Sequence, residues 1–98
     1  MATGAEKAED ITINYEEDGV LLVRELDKEI LTSGAWATLV FRYQELDRTK
    51  GEYGPDKYSI RRYQKRDGQY QAKSKFNISS AAQAKKLIAI LTRWTEAA

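Results

Sequence analysis

The chain has 98 residues, and its hydrophobic (42%) and charged (32%) fractions are typical of one small globular domain. It contains no cysteine and no histidine, which excludes disulfides, thiol nucleophiles and imidazole bases, and no apolar run approaches the roughly 20 residues of a membrane span. The net charge of +1 combines an acidic stretch, residues 1–56 (6 basic, 13 acidic), with a basic one, residues 57–98 (10 basic, 2 acidic), which indicates either a polyanionic partner or halves that neutralise each other in the fold.

The first ten residues, MATGAEKAED, lack the apolar stretch of a secretory signal. We therefore expect residues 1–10 to form a flexible tail, residues 11–98 to form a single domain, and the protein to be cytoplasmic.

The acidic half contains two segments of ambiguous secondary structure, followed by one clearly predicted strand. ITINYEEDG is compatible with a short strand or an ordered arm, and VLLVRELDKEIL with a strand or a short helix. AWATLVFRYQEL, residues 35–46, is rich in β-branched and aromatic residues and predicts a strand, and DRTKGEYGPD then predicts a long exposed connection.

The acids Glu16, Glu17, Asp18 and Glu25 match no catalytic or metal-binding spacing. The glycines of KGEYGP lack the spacing of a phosphate loop. We predict a protein that is not an enzyme and that needs no cofactor or metal.

KYSIRRYQK and QYQAKSKFNI predict two strands around Arg66-Asp67-Gly68. A two-residue loop would set Arg61 opposite Ser74. A three-residue loop with Gly68 in the left-handed conformation would instead set Arg61 opposite Lys73. We favour the longer loop because it gathers the apolar residues of both strands on one face.

That register predicts two faces of opposite character. The apolar face would hold Tyr58, Ile60, Tyr70, Ala72, Phe76 and Ile78. The basic face would hold Lys57, Arg61, Tyr63, Lys65, Gln71, Lys73 and Lys75, with Tyr63 as its clearly exposed ring. An unbulged preceding strand would add Trp36, Thr38, Val40, Arg42 and Gln44 to the basic face.

SSAAQAKKLIAILTRWTEAA predicts a C-terminal helix, which Ser80 and Gln83 begin as a capping box. One helix face would cover the apolar side of the sheet. The remaining apolar positions favour a homodimer in which these helices meet, although the N-terminal segment is an alternative cover. The predicted dimer interface is Leu87, Ile90, Leu91 and Trp94.

A basic face with exposed rings has two interpretations. Lysines and arginines are common on solvated strand faces, where they also discourage edge-to-edge aggregation. Cations interleaved with rings also suit nucleic acid, because cations contact phosphates while rings stack on unpaired bases. The clustered arginines favour the second interpretation.

KYSIRRYQK followed by KSKFNISSAAQAKKLIAIL resembles the positive-cofactor-4-like transcriptional coactivators, which bind single-stranded DNA. The resemblance implies an α+β fold, with a curved four-stranded antiparallel sheet, a C-terminal helix and a homodimer formed through the helices. It also implies DNA contacts from Arg61, from Lys73 and Lys75 before the IS pair, and from an aromatic that Tyr53 approximates. Gln64 stands where the family often has a stacking aromatic, and Tyr63 or Trp36 would substitute.

We therefore expect single-stranded DNA binding with weak sequence preference, in transcription, replication or repair. The alternatives are RNA binding and a protein-interaction module that uses the basic face for an acidic partner. The predicted nucleic-acid contacts are Trp36, Arg42, Tyr53, Lys57, Arg61, Tyr63, Lys65, Lys73 and Lys75.

Overall fold

The computed structural model describes residues 2–97 and consists of one curled antiparallel sheet with a C-terminal helix. The α+β class is confirmed, but this part of the chain forms six strands rather than the expected four. A single 3-10 turn, Ala8–Asp10, precedes them. The elements are β1 (Tyr15–Glu17), β2 (Val20–Thr32), β3 (Trp36–Asp47), β4 (Glu52–Tyr53), β5 (Lys57–Arg66), β6 (Gln69–Ile78) and α1 (Ala81–Glu96).

The sheet order is β1-β2-β3-β5-β6, with β4 paired to the end of β3. The two additional strands are short and lie in the segments that the sequence left as an arm and a connection. β1 turns into β2 through Asp18 and Gly19, whose φ angles of 53° and 79° allow a tight hairpin. β2, which was compatible with either strand or helix, is a strand because it pairs with β3 along most of its length.

The β5–β6 hairpin differs from the favoured three-residue loop. Asp67 and Gly68 form a two-residue turn with φ angles of 51° and 79°, which an aspartate tolerates at little cost. A β-bulge at Lys73 then shifts the register, so that Arg61 lies opposite Lys75 and Ile60 opposite Phe76. The predicted pairing of Arg61 with Lys73 is therefore wrong. Because of the bulge, however, Ile60 and Phe76 lie on the same face, as predicted.

The pairing of β3 with β5 determines which residues share a face. Leu39 pairs with Arg61 and Trp36 pairs with Gln64. We call the side of the sheet with Arg61 the groove face; it also holds Ala37, Leu39, Phe41, Tyr43, Lys57, Ser59, Tyr63, Lys65, Tyr70, Ala72, Lys75 and Asn77. We call the other side the open face; it holds Trp36, Thr38, Val40, Arg42, Gln44, Tyr58, Ile60, Arg62, Gln64, Gln71, Phe76 and Ile78.

Several predicted face positions are consequently wrong. Trp36 and Arg42 lie on the side opposite to Arg61, as does Gln71, whereas Tyr70 and Ala72 share the side of Arg61. The hydrophobic core also lies on the groove face. The physical reason is that a shift of one residue in the pairing of β3 with β5 moves every β5 side chain to the other face. The long connection before β5 does not show which of the two pairings forms.

Residues 2–14, which we call the N-terminal strap, cross the groove face and close the core. Ala5, Ala8, Ile11 and Ile13 of the strap are buried against the sheet. The expected flexible tail is therefore wrong for residues 2–10. The sequence signal was a small or branched apolar residue at positions 5, 8, 11 and 13, a spacing of two to three that matches a segment that buries one side.

Backbone and side-chain hydrogen bonds hold the strap at Thr3 and again at Glu9 and Ile11. The backbone N–H and the hydroxyl of Thr3 both donate to the carbonyl oxygen of Tyr70 on β6, each at 2.9 Å. Farther along the strap, Lys28 Nζ on β2 donates to the carbonyl oxygens of Glu9 and Ile11, each at 2.5 Å. The strap thus bridges opposite margins of the sheet.

The helix begins as predicted. The backbone N–H of Gln83 donates to Ser80 Oγ at 3.1 Å, and the Gln83 side chain accepts from the backbone N–H of Ser79 at 2.9 Å. However, none of its residues is buried, and its main contact with the sheet is near Phe76 and Ile78 of β6. The expectation that the helix covers the apolar side of the sheet is therefore met only at the end of β6, while the strap covers the opposite, groove face, where the core lies. No helix within residues 2–97 is long and apolar enough to cross a membrane.

Candidate nucleic-acid interface

Strands β5 and β6 form one wall of a recess on the groove face. Arg61, Tyr63, Lys73 and Lys75 line a cavity of about 310 Å³ together with Ala72 and Ser74. A second cavity of about 460 Å³ shares Arg61, Tyr63, Ala72 and Lys75 and runs under the strap toward β2 and β1. We call these two cavities, which share these four lining residues, the groove. Four of the nine predicted nucleic-acid contacts therefore come together here.

Three cations meet at the β6 end of the groove. Arg61 lies directly opposite Lys75, and the bulge at Lys73 adds a third cation to the same cavity. Like charges opposite each other across strands destabilise a sheet. Within residues 2–97 none of the ion pairs includes Arg61, Lys73 or Lys75. This end of the groove therefore carries positive charge that no acidic side chain neutralises.

Arg61 is held by groups on its own face. Its Nε donates to Ser59 Oγ at 3.0 Å, and Ser59 Oγ donates to Asn77 Oδ1 at 2.7 Å. The Phe41 ring lies below, with 6.0 Å between its centroid and the guanidinium carbon. The guanidinium is thus fixed at the floor of the groove while remaining partly exposed.

Tyr63 contributes a wall rather than a stacking ring. Only 3% of it is exposed, because it packs in the core with residues such as Ala5 and Ala37. Burial raises the pKa of its phenol above the ordinary value, and the neighbouring Arg61 partly opposes that rise. The prediction that Tyr63 is exposed for base stacking is wrong.

Two further predicted cations lie on the groove face outside the three-cation cluster. Lys57 Nζ lies 2.5 Å from Glu45 Oε1, and this hydrogen bond raises the pKa of Lys57. Lys65 lies near the hairpin turn with its Nζ 5.4 Å from the centre of the Tyr70 ring. Lys57 is therefore neutralised within the fold, whereas Lys65 extends the positive charge toward the turn.

The remaining predicted contacts lie away from the groove. Trp36 is on the open face, where the guanidinium carbon of Arg62 lies 4.6 Å from its ring centre. Arg42, also on the open face, forms an ion pair with Asp56 at 3.1 Å. The Tyr53 ring on β4 is covered by the guanidinium of Arg24 at 3.8 Å. These three residues already have partners and do not join Arg61.

The strap supplies groove residues that the sequence analysis missed. Thr3, Thr12 and Asn14 of the strap line the groove together with Arg61, as does Tyr15 of β1, which directly follows the strap. Tyr15 is 54% exposed, and its hydroxyl donates to Glu17 at 3.1 Å, which raises the pKa of the phenol. It is the aromatic side chain in the groove that is accessible to solvent. An exposed tyrosine beside three acids gave no sequence signal for a basic site.

The predicted dimer residues divide into two groups. Leu87 and Ile90 are half-buried against the end of β6, whereas Leu91 and Trp94 are exposed. Ile88, which was not among the predicted interface residues, is also exposed, at 62%. The helix therefore presents an apolar surface that its own chain does not cover.

No known family, curated protein or solved structure matches this chain. Residues 2–97 contain no group of three or more acidic side chains placed to hold a metal ion. The groove thus combines a guanidinium held by Ser59, two lysine ammonium groups that form no ion pair among residues 2–97, and the Glu45 carboxylate, which pairs with Lys57.

Proposed function

We propose that this protein binds single-stranded DNA in the groove, with Arg61, Lys73 and Lys75 contacting phosphates. The observation that carries the proposal is the convergence of these three cations, without acidic partners, on one cavity. A phosphate between Arg61 and Lys75 would relieve the repulsion of this cross-strand pair. The resemblance to the positive-cofactor-4-like coactivators supports the same function, and we propose that it serves transcription, replication or repair.

The shape of the groove favours one strand over a duplex. Proteins that read duplexes usually insert a helix or a ribbon into a DNA groove, whereas here the cations lie inside a recess of the protein. The exposed ring of Tyr15 at the far end offers a base a stacking surface, and stacking contributes about 1–3 kcal/mol per base with little sequence preference. The protein would act by binding rather than by catalysis.

We also propose that the binding unit is a homodimer formed through α1. Ile88, Leu91 and Trp94 are exposed in a helix that has few contacts with its own sheet. Exposed apolar patches of this kind commonly mark interfaces between subunits. A two-fold axis at the helices would give the dimer two grooves for one strand.

Titration of a fluorescein-labelled oligothymidine against wild type, Arg61→Ala and Arg62→Ala, at several salt concentrations, tests the proposal. Wild type should bind, with affinity that falls as salt rises. Arg61→Ala should bind about 10- to 100-fold more weakly, because hydrogen bonds to charged groups contribute about 1.5–3 kcal/mol. Its salt slope should fall by about 0.7, the value for one phosphate contact on a single strand.

Arg62→Ala is the matched control, because it removes the same charge from the adjacent residue on the open face. Equal weakening by both variants would contradict the groove as the binding surface. Parallel titrations with duplex DNA, RNA and an acidic peptide compare the other ligands. Tighter binding of the acidic peptide than of any nucleic acid would contradict the proposed function in favour of a protein-interaction module.

A further inference from the structure

We propose that Ser59, with Asn77 behind it, is a positioning residue that orients Arg61 for anion binding. Ser59 is the fully buried polar side chain of the described residues, with none of its surface exposed. It precedes Arg61 by two positions on β5, so both side chains project from the groove face. The inference rests on the proposed function, since it assigns a role within the same site.

The direction of the hydrogen bonds follows from the chemistry of the three groups. Arginine has only donors, so Ser59 Oγ must accept from Arg61 Nε over the 3.0 Å contact. The single hydroxyl proton of Ser59 is then free to donate to Asn77 Oδ1 at 2.7 Å. The chain of bonds has one consistent polarity, ending on an asparagine at the exposed edge of the groove face.

The register of the hairpin creates this arrangement. Asn77 lies directly opposite Ser59 because the bulge at Lys73 shifts β6 by one residue. In the three-residue-loop register, Lys75 would oppose Ser59 and Lys73 would oppose Arg61. A lysine has no acceptor for the Ser59 hydroxyl, so the bulge supplies both the partner of Ser59 and the third cation.

Occupation of Nε determines how Arg61 can bind an anion. With Nε held by Ser59, the ligand can be bound only by the two terminal nitrogens of the guanidinium, which belongs to a side chain that lines the same cavity as Lys73 and Lys75. Arg61 therefore binds a phosphate end-on through those two nitrogens. Because the side chain is ordered before the ligand arrives, binding costs less conformational entropy than it would for a free arginine.

A double-mutant cycle distinguishes positioning from a purely structural role. Ser59→Ala should weaken oligothymidine binding about two- to tenfold, the loss typical of one hydrogen bond, and should have no further effect in the Arg61→Ala background. A residue that only supports the fold would weaken binding by the same factor in both backgrounds. Thr38→Ala, which removes a hydroxyl from the open face of the central strand β3, is the matched control and should leave affinity unchanged.

Two further measurements complement this test: one uses a variant at an exposed position, which should fold normally, and the other uses the protein without ligand. Asn77→Ala alters an exposed side chain and should weaken binding by less than Ser59→Ala, with the same loss of effect in the Arg61→Ala background. In the free protein, the Arg61 Nε–H signal in a ¹⁵N spectrum should exchange slowly with solvent and become fast in Ser59→Ala. Fast exchange in wild type would overturn the contact itself.

The outcomes separate the inference from the proposed function. If wild type binds and Arg61→Ala is weak, but Ser59→Ala binds like wild type or acts equally in both backgrounds, the positioning role is wrong and the proposed function stands. If wild type binds none of the nucleic acids, the proposed function and the positioning role both fail. Slow exchange of Arg61 Nε–H would then identify the contact as structural only.

Discussion

Two adjacent arginines on β5 lie on opposite faces of the sheet, and only one of them lines the groove. Arg61 is held by Ser59 beside two other cations, whereas Arg62 stacks on Trp36 across the sheet. Tyr63, next along the strand, returns to the groove face and is buried. Strand alternation therefore places three consecutive residues in three different surroundings: Arg61 at the proposed ligand site, Arg62 stacked on a surface ring, and Tyr63 in the core.

The buried phenol of Tyr63 makes stability sensitive to alkaline pH. Its pKa is raised in the folded protein, so above about pH 10 the unfolded chain loses this proton first and the free energy of unfolding falls as pH rises. Tyr63→Phe should flatten that fall, as measured by urea unfolding at pH 9 through 11. Lys57, whose pKa is also raised, adds a loss of the same sign to both proteins. Parallel profiles for the two proteins would contradict this assignment.

At the level of elements, the strap, not the helix, covers the face of the sheet where the core lies. Ile11 is completely buried, and with Ala5, Ala8 and Ile13 it joins the core around Leu39 and Phe41. The strap also forms the second wall of the groove through Thr3 and Asn14. One segment therefore stabilises the sheet and shapes the proposed binding site.

Ile11→Ala should destabilise the protein by about 2–5 kcal/mol, because it removes buried methyl groups and leaves a cavity. Leu31→Ala, a comparable truncation on an exposed part of β2, is the control and should cost much less. Urea unfolding followed by circular dichroism measures both. Equal, small effects would mean that the strap does not pack on the sheet in solution.

At the scale of the whole molecule, the chain is thin, with extents of 50 × 40 × 17 Å. A single curled sheet with one strap buries a small core, and large apolar side chains remain exposed on the open face and on α1, including Phe76, Ile88 and Trp94. A second copy that covers α1 would remove much of this surface from water, which favours association.

Leu91→Asp should therefore convert the protein to a monomer, because it places a charge in the centre of the apolar helix surface. Ala89→Asp introduces the same charge on the opposite side of α1 and should leave the dimer intact. Sedimentation equilibrium measures the change against the 11.2 kDa of one chain. A wild-type protein that sediments as a monomer at every concentration would contradict the dimer.

Much of the local structure could be predicted because it depends on short-range chemistry. Residues 35–46 matched β3 to within one residue at each end, and Ser80 and Gln83 located the start of the helix. Arg61 and Lys75 share a face, as predicted, but they do so because the bulge at Lys73 offsets the unexpected two-residue turn. The position of Lys73 in the groove also required the bulge, and no residue in the sequence predicts a bulge there.

The sequence by itself determined the α+β class, the elements β5, β6 and α1, and the concentration of positive charge in β5 and β6. These follow from residue propensity, periodicity and composition. Only the tertiary structure decided which face is buried. The side chains that β3 and β5 place on one face depend on the register of this strand pair, and the long connection between the two strands does not specify that register. It also decided that Trp36 and Arg42 lie away from Arg61 and that the strap walls the groove. These are contacts between residues far apart in the chain, whose energies exist only once the sheet has formed.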